Sequence, residues 1–132
     1  MKRIRVKTLS RIEMVDITSE VQKALALADL NEGLCVVYCP HTTAAVVINE
    51  HADPTVAEDI ASSLSEHFPH RKAWRHLEGN ADAHVKSALA GSSVSIPITG
   101  GRLALGTWQG IFFCEFDGPR NRELYLQMLS AE

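Results

Sequence analysis

The stretch SVSIPITGGRLALGTWQGIFFCEFDGPRNRELYLQM, residues 93–128, decides the fold. It divides into four short runs at 93–98, 102–105, 111–116 and 123–128, punctuated by Gly100-Gly101, Gly106 and Gly118-Pro119. Short apolar runs bounded by glycine and proline signals predict strands joined by turns. Upstream, 34–39 and 43–48 predict two more strands separated by Pro40-His41-Thr42. The second contains Ala44-Ala45-Val46-Val47-Ile48, an apolar run expected of a buried strand. Residues 2–15 predict two further strands with a bend near Ser10-Arg11. The basic segment Lys2-Arg3-Ile4-Arg5-Val6-Lys7 alternates with apolar residues, so it is an edge or half-exposed strand rather than a binding arm.

Helices are fewer. Over 19–29, Val21, Leu25 and Ala28 space one helical face, Ser19 with Gln22 fits a capping box, and Asn31-Glu32-Gly33 supplies the stop. Asp53-Pro54 pairs an N-cap with proline at the first helical position, and that helix should run to about His67. Residues 69–79 predict an irregular loop; Asn80 then caps a short helix ending near Ala90, with Gly91 beyond it. Strands outnumber helices and often follow one another directly, which predicts α+β with an antiparallel sheet.

A chain of 132 residues predicts a single domain over 1–132. Apolar content of 45% and charged content of 22% are ordinary for a globular protein. A net charge of -3 gives no reason to expect nucleic acid, and no apolar run has the length of a membrane span. Cys35, Cys39 and Cys114 are sparse and odd in number. On one strand Cys35 and Cys39 would stand roughly 13 Å apart at about 3.3 Å per residue, too far for a disulfide. Reduced thiols and the lack of an apolar leader predict a cytoplasmic protein.

The chemistry concentrates in His76-Leu77-Glu78-Gly79-Asn80-Ala81-Asp82-Ala83-His84 and in His41-Thr42-Thr43 with Asn49-Glu50. Polar groups this dense, few of them suited to a core, point to a site. His41, His76 and His84 make three imidazoles, enough for an open divalent-metal site with water in the fourth position. His76 and His84 lie eight apart rather than four, so they meet only if His76 is on the loop and His84 on the first turn of the next helix. The alternative is ordinary polar loop histidines. Glu50, Glu78 and Asp82 suit acid–base work or the orienting of metal-bound histidines. Asp82 is equally explained by the helix dipole, and Asn49-Glu50 by a turn. Arg120 and Arg122 after the Asp117-Gly118-Pro119 turn suit a phosphate or carboxylate, with Thr107 and Gln109 as further donors. A solvated turn is the plainer reading of Arg120. His51, His67 and His70 read as surface residues.

Taken together, these blocks resemble the YjbQ-like family, whose members are called secondary thiamine-phosphate synthases. The matching residues are His41-Thr42-Thr43-Ala44-Ala45, Ile48-Asn49-Glu50, Asp53-Pro54, the 76–84 run, Ile96-Pro97-Ile98, Leu105-Gly106-Thr107-Trp108-Gln109 and Asp117-Gly118-Pro119-Arg120. His51 matches no family position. The resemblance implies an antiparallel β-sandwich with flanking helices, assembled as a homotrimer, with a divalent metal on His41, His76 and His84. It implies that Glu78, Asn80, Glu50 and Gln109 belong to the pocket. The residues and the resemblance together give catalytic roles to Glu78, Glu50 and Asp82, and a substrate-binding set of Thr42, Asn49, Asn80, Thr107, Gln109 and Arg120. The implied reaction joins an aminopyrimidine diphosphate to a thiazole phosphate. Three histidines favour zinc, with manganese possible; diphosphate departure is ordinarily assisted by magnesium. Two other classes stay open. One is metal-assisted hydrolysis or lyase chemistry on another phosphorylated metabolite. The other is a non-catalytic trimer that binds a metal or anion, or whose buried polar cluster sets subunit register.

Overall fold

The alternation seen in the sequence becomes two facing sheets in the computed structural model, which describes residues 1–71 and 73–132. In chain order the elements are β1 (Lys2–Lys7), β2 (Glu13–Asp16), α1 (Thr18–Ala28), β3 (Gly33–Tyr38), β4 (Ala44–Glu50) and α2 (Pro54–His67). They continue with α3 (Ala81–Ala90), β5 (Ser93–Thr99), β6 (Arg102–Leu103), β7 (Gln109–Glu115) and β8 (Asn121–Ser130). One sheet has the order β1-β8-β3-β5-β6 and the other β2-β7-β4, with every pairing antiparallel.

Side-chain parity builds the layers. Cys35 and Val37 of β3 and Leu124 and Leu126 of β8 meet Ala44, Val46, Ile111 and Phe113 of the smaller sheet, and Val21 and Leu25 of α1 close the same core. The opposite parity of the smaller sheet, Ala45, Phe112 and Cys114, packs with Ala57 and Leu64 of α2 and with Ala83 and Ala90 of α3. β7 is therefore covered on both faces and buried from Gly110 to Glu115. That explains why its sequence is continuously apolar rather than alternating.

Helix ends depart from expectation in instructive ways. Asp53 does cap α2, accepting from the Thr55 amide at 3.0 Å. At α1 the N-cap position is Ile17, which makes no side-chain cap bond; the preceding Asp16 supports the helix start instead, its Oδ1 accepting from the Thr18 amide and hydroxyl. Gln22 points away from any capping box; its amide donates to the Gly101 carbonyl and its carbonyl accepts from Leu103 N. The helix stops at Asp29, in the left-handed region at φ 52°. Gly33 opens β3 instead, because a Cβ there would stand 2.0 Å from the Leu129 carbonyl oxygen. Asn80 occupies the N-cap of α3 without a side-chain cap bond. Over 69–79 the described residues form no regular element; position 72 of that predicted loop lies outside them.

Candidate functional site

The loop from β3 to β4 carries His41 across to β8. Its Nε2 lies 3.1 Å from the Glu123 amide and 3.0 Å from the Glu123 carbonyl oxygen. The ring also meets Phe113 edge-on. Burial and, next, the Arg122 charge hold the His41 pKa below its ordinary value, so the imidazole is neutral near pH 7. His84, in the first turn and a half of α3, lines the same cleft as His41, together with Pro40, Thr42 and Ser87; its volume is about 580 Å³. The His76 ring, on the preceding loop, stands edge-to-face on His84 at 5.1 Å. Glu78 lies 3.7 Å from His76 and is exposed. Among the described residues, no group of three or more His, Cys, Asp or Glu side chains is drawn together tightly enough to hold a metal as it stands.

Two buried charge networks brace this end. Asp82 is fully buried, and its two oxygens accept twice from Arg11 (3.2 and 3.1 Å), once from Lys86 (3.0 Å) and once from His70 Nδ1 (3.1 Å). Burial alone would raise its pKa, but these partners outweigh burial and hold the carboxyl well below the usual range. Four bonds fill a carboxylate's acceptor sites, so Asp82 anchors α3 and the loops around it rather than taking up a proton. Lys86, 1% exposed, has Asp82 as its ion-pair partner.

The second network joins β7 to β8. Arg122 donates from Nε to Glu115 Oε1 at 2.8 Å and from Nη2 to Glu115 Oε2, and also to the Thr43 hydroxyl at 2.9 Å. Thr8 donates its hydroxyl to Glu115 at 2.8 Å. Arg120, expected to clamp an anion, instead donates to the Asp117 carbonyl and carboxylate at 2.8 and 2.9 Å. Asn80 Nδ2 donates to the same carboxylate at 2.8 Å, and its buried Oδ1 has no partner among the described residues.

The remaining expected residues lie elsewhere. The β4–β7 ladder pairs Ala44 with Glu115 at one end and Glu50 with Gln109 at the other. Six steps at about 3.3 Å put those ends roughly 20 Å apart. His41, Thr42, His76, Glu78, Asn80, Asp82, His84 and Arg120 belong to the first end. Asn49, Glu50, Thr107 and Gln109 belong to the second. There Asn49 Oδ1 accepts from the Glu50 amide, and Gln109 Oε1 accepts from the Gly106 amide, at 2.8 Å each. Within one chain these two groups do not surround a common small molecule.

A model of the UPF0047 YjbQ-like family matches residues 2–131. The chain belongs to the YjbQ-like family. YugU of Bacillus subtilis is 48% identical over 130 residues, covering 98% of each chain. A YjbQ-like UPF0047 protein of Methanocaldococcus jannaschii is 50% identical over 125 residues, covering 95% of this chain and 91% of that one. The crystal structure of an uncharacterized YjbQ-family protein from Clostridium acetobutylicum superposes with a TM-score of 0.96 at 46% identity, covering 98% of this chain and 100% of that one. A YjbQ-like protein of unknown function from Sulfolobus solfataricus gives 0.94 at 35% identity over 98% and 95% of the chains. The expected family and sandwich fold both hold.

Sequence reasoning gave Glu115, Thr43, Lys86 and Arg11 no role in this YjbQ-like chain, although Thr43 stood in the His41-Thr42-Thr43 cluster. Glu115 carried a signal: it is a lone carboxylate inside the run Ile111-Phe112-Phe113-Cys114-Glu115-Phe116. A charge at a position of core parity requires a buried partner. Lys86 carried a similar one, four residues after Asp82 on the same helix face.

Proposed function

We propose that this protein is a small metal-dependent enzyme acting on a phosphorylated small molecule, in the manner of a thiamine-phosphate synthase. The observation that carries the reading is the adjacency of His76 and His84, 5.1 Å apart between ring centres, beside a cleft also lined by the neutral His41. The donor set fits a divalent metal such as zinc or manganese, since neutral imidazoles are what such ions take. His76 and His84 would hold it, with His41 as the third nitrogen. Bound there, the metal would supply Lewis-acid polarisation of a phosphoryl or carbonyl oxygen. Glu78 sits where it can orient His76 or accept a proton, and Thr42 offers the cleft a hydroxyl.

Asn49, Glu50, Thr107 and Gln109 reach such a substrate only from a second copy of the chain, which agrees with a homotrimer. Exposed Tyr38 and Leu129 on the outer face of the larger sheet suit such packing. Free, buried Cys35, Cys39 and Cys114 agree with a cytoplasmic setting.

Metal content by plasma mass spectrometry on untagged protein tests the proposal. About one metal per chain in wild type, lost in His76→Ala, is expected of an open three-ligand site. No metal in either protein would remove the metal mechanism. A second reading, a non-catalytic metal- or anion-binding trimer, draws on one observation: all four acceptor sites of Asp82, an expected acid–base residue, are taken by Arg11, Lys86 and His70. Metal without turnover on any phosphorylated substrate would favour it.

A further inference from the structure

The face of the smaller sheet beneath α2 carries a second cleft of about 400 Å³, which runs between β2 and the start of α2 from Ile12 to His51. On its wall stands His51, a residue outside every family block. Three restraints fix this imidazole. Its backbone amide donates to the Trp108 carbonyl at 2.9 Å. Its Nδ1 lies 2.8 Å from Asp16 Oδ2. Its ring rests on Gly110, where a Cβ would come within 2.3 Å of Cγ and 2.4 Å of Nδ1. A glycine inside a strand weakens it and marks a close approach. Here the approaching group is His51.

The carboxylate behind the ring is fixed as well. Asp16 Oδ1 accepts from the Thr18 amide and hydroxyl at 3.0 and 2.6 Å, and Thr18 Oγ1 in turn accepts from the Ile111 amide at 2.8 Å. Burial raises the Asp16 pKa, but the Thr18 and His51 bonds outweigh it, so the carboxylate is ionised. A carboxylate only accepts, so in the neutral imidazole Nδ1–H donates to Asp16 Oδ2 and Nε2 is the acceptor nitrogen. Among the described residues no side-chain or backbone donor satisfies that nitrogen.

The rest of the cleft sets the complement. Ile12, Met14, Ala57 and Phe112 give it an apolar wall, and among the described residues no lysine or arginine lines it. Glu13 and Asp53 are committed to amides at Leu9, Ser10 and Thr55, whereas the Glu58 carboxylate has no such bond among the described residues. An open acceptor nitrogen, an open carboxylate and an apolar wall complement a cationic donor with an apolar body, and they repel anions. We infer that this cleft is a second ligand site, separate from the His41–His84 cleft, that binds a small primary amine on a short apolar chain, with His51 Nε2 and Glu58 receiving the ammonium.

The test is an NMR titration of the whole protein with n-butylammonium chloride, set against sodium butyrate and zinc chloride at matched ionic strength. Saturable shifts of the His51 ring and the Met14 methyl are expected with the amine and not with butyrate. Glu58→Gln should weaken the amine about two- to fivefold, the worth of an exposed ion pair. Gly110→Ala, which displaces the ring, should abolish the response, and His51→Ala does the same without disturbing the strand. An unsaturable response, an equal response to butyrate, saturation by zinc alone, or undiminished binding in His51→Ala would overturn the inference.

Discussion

Where Ala44 pairs with Glu115 on the β4–β7 ladder, charge is buried and saturated: Glu115 and Asp82 are both 0% exposed and each accepts several hydrogen bonds. Where Glu50 pairs with Gln109, roughly 20 Å away by strand rise, the Asp16–His51 pair is 42% and 32% exposed and one ring nitrogen is open. The same two strands thus carry a braced end and an accessible end. Buried ions without partners are costly, so the braced end holds rigid what is mounted on it. The exception at the braced end is the buried Asn80 Oδ1, which has no partner among the described residues; the open acceptors of the second end are exposed to water. The histidine cleft borrows the rigidity of the first end, and the His51 cleft has the openness of the second.

Breaking the braced end should have the largest effect. Arg122→Ala leaves Glu115 buried and unpaired and should cost about 3–5 kcal/mol in urea unfolding. A loss under about 1 kcal/mol, typical of an exposed pair, would erase the contrast between the ends. Phe113→Ala, in the core shared by both sheets, should cost about 3–5 kcal/mol by the same assay. Acid sharpens the comparison. Asp82 and Glu115 both have folded pKa values below their ordinary 3.8 and 4.5. Their stabilisation is therefore complete above those ordinary values and is lost as pH falls through the folded ones. Unfolding midpoints should fall slightly as pH drops below about 6.5, because the lowered folded pKa of His41 lets the unfolded chain take up that proton first, and more steeply below about pH 4. Asp82→Asn should flatten part of that fall, and a midpoint constant down to about pH 3 would sink the assignment. The smallest effect belongs to the accessible end: Asp16→Asn should cost about 0.2–1 kcal/mol, seen as a small shift in midpoint.

The fold was legible because parity and turns are local. The strands of 93–128, the Asp53-Pro54 cap and the buried Ala44–Ile48 run depend on neighbours a few residues away. The start of α1 was misplaced because Ser19 with Gln22 satisfies the local capping pattern, whereas Gln22 is drawn to Gly101 and Leu103, 79 and 81 residues away. The candidate site was legible as residue types, not as a place. Sequence order put Asn49-Glu50 near His41-Thr42-Thr43, yet an extended strand holds them apart. The partners of Asp82, namely Arg11 and His70, come from segments 71 and 12 residues away that no local pattern links to it.

The pairing of β1 with β8 has a consequence for how the chain reaches this state. Lys2 lies opposite Leu126 and Lys7 opposite Asn121, so β1 has no place in its sheet until β8 exists. β2 likewise waits for β7. On a ribosome β1 must be tolerated unpaired until β8 has been made, and alternating Lys2, Arg3, Arg5 and Lys7 keep it from adding to other edges in the meantime. Refolding from denaturant should accordingly be governed by long loop closures, in the millisecond-to-second range of sheet-rich domains.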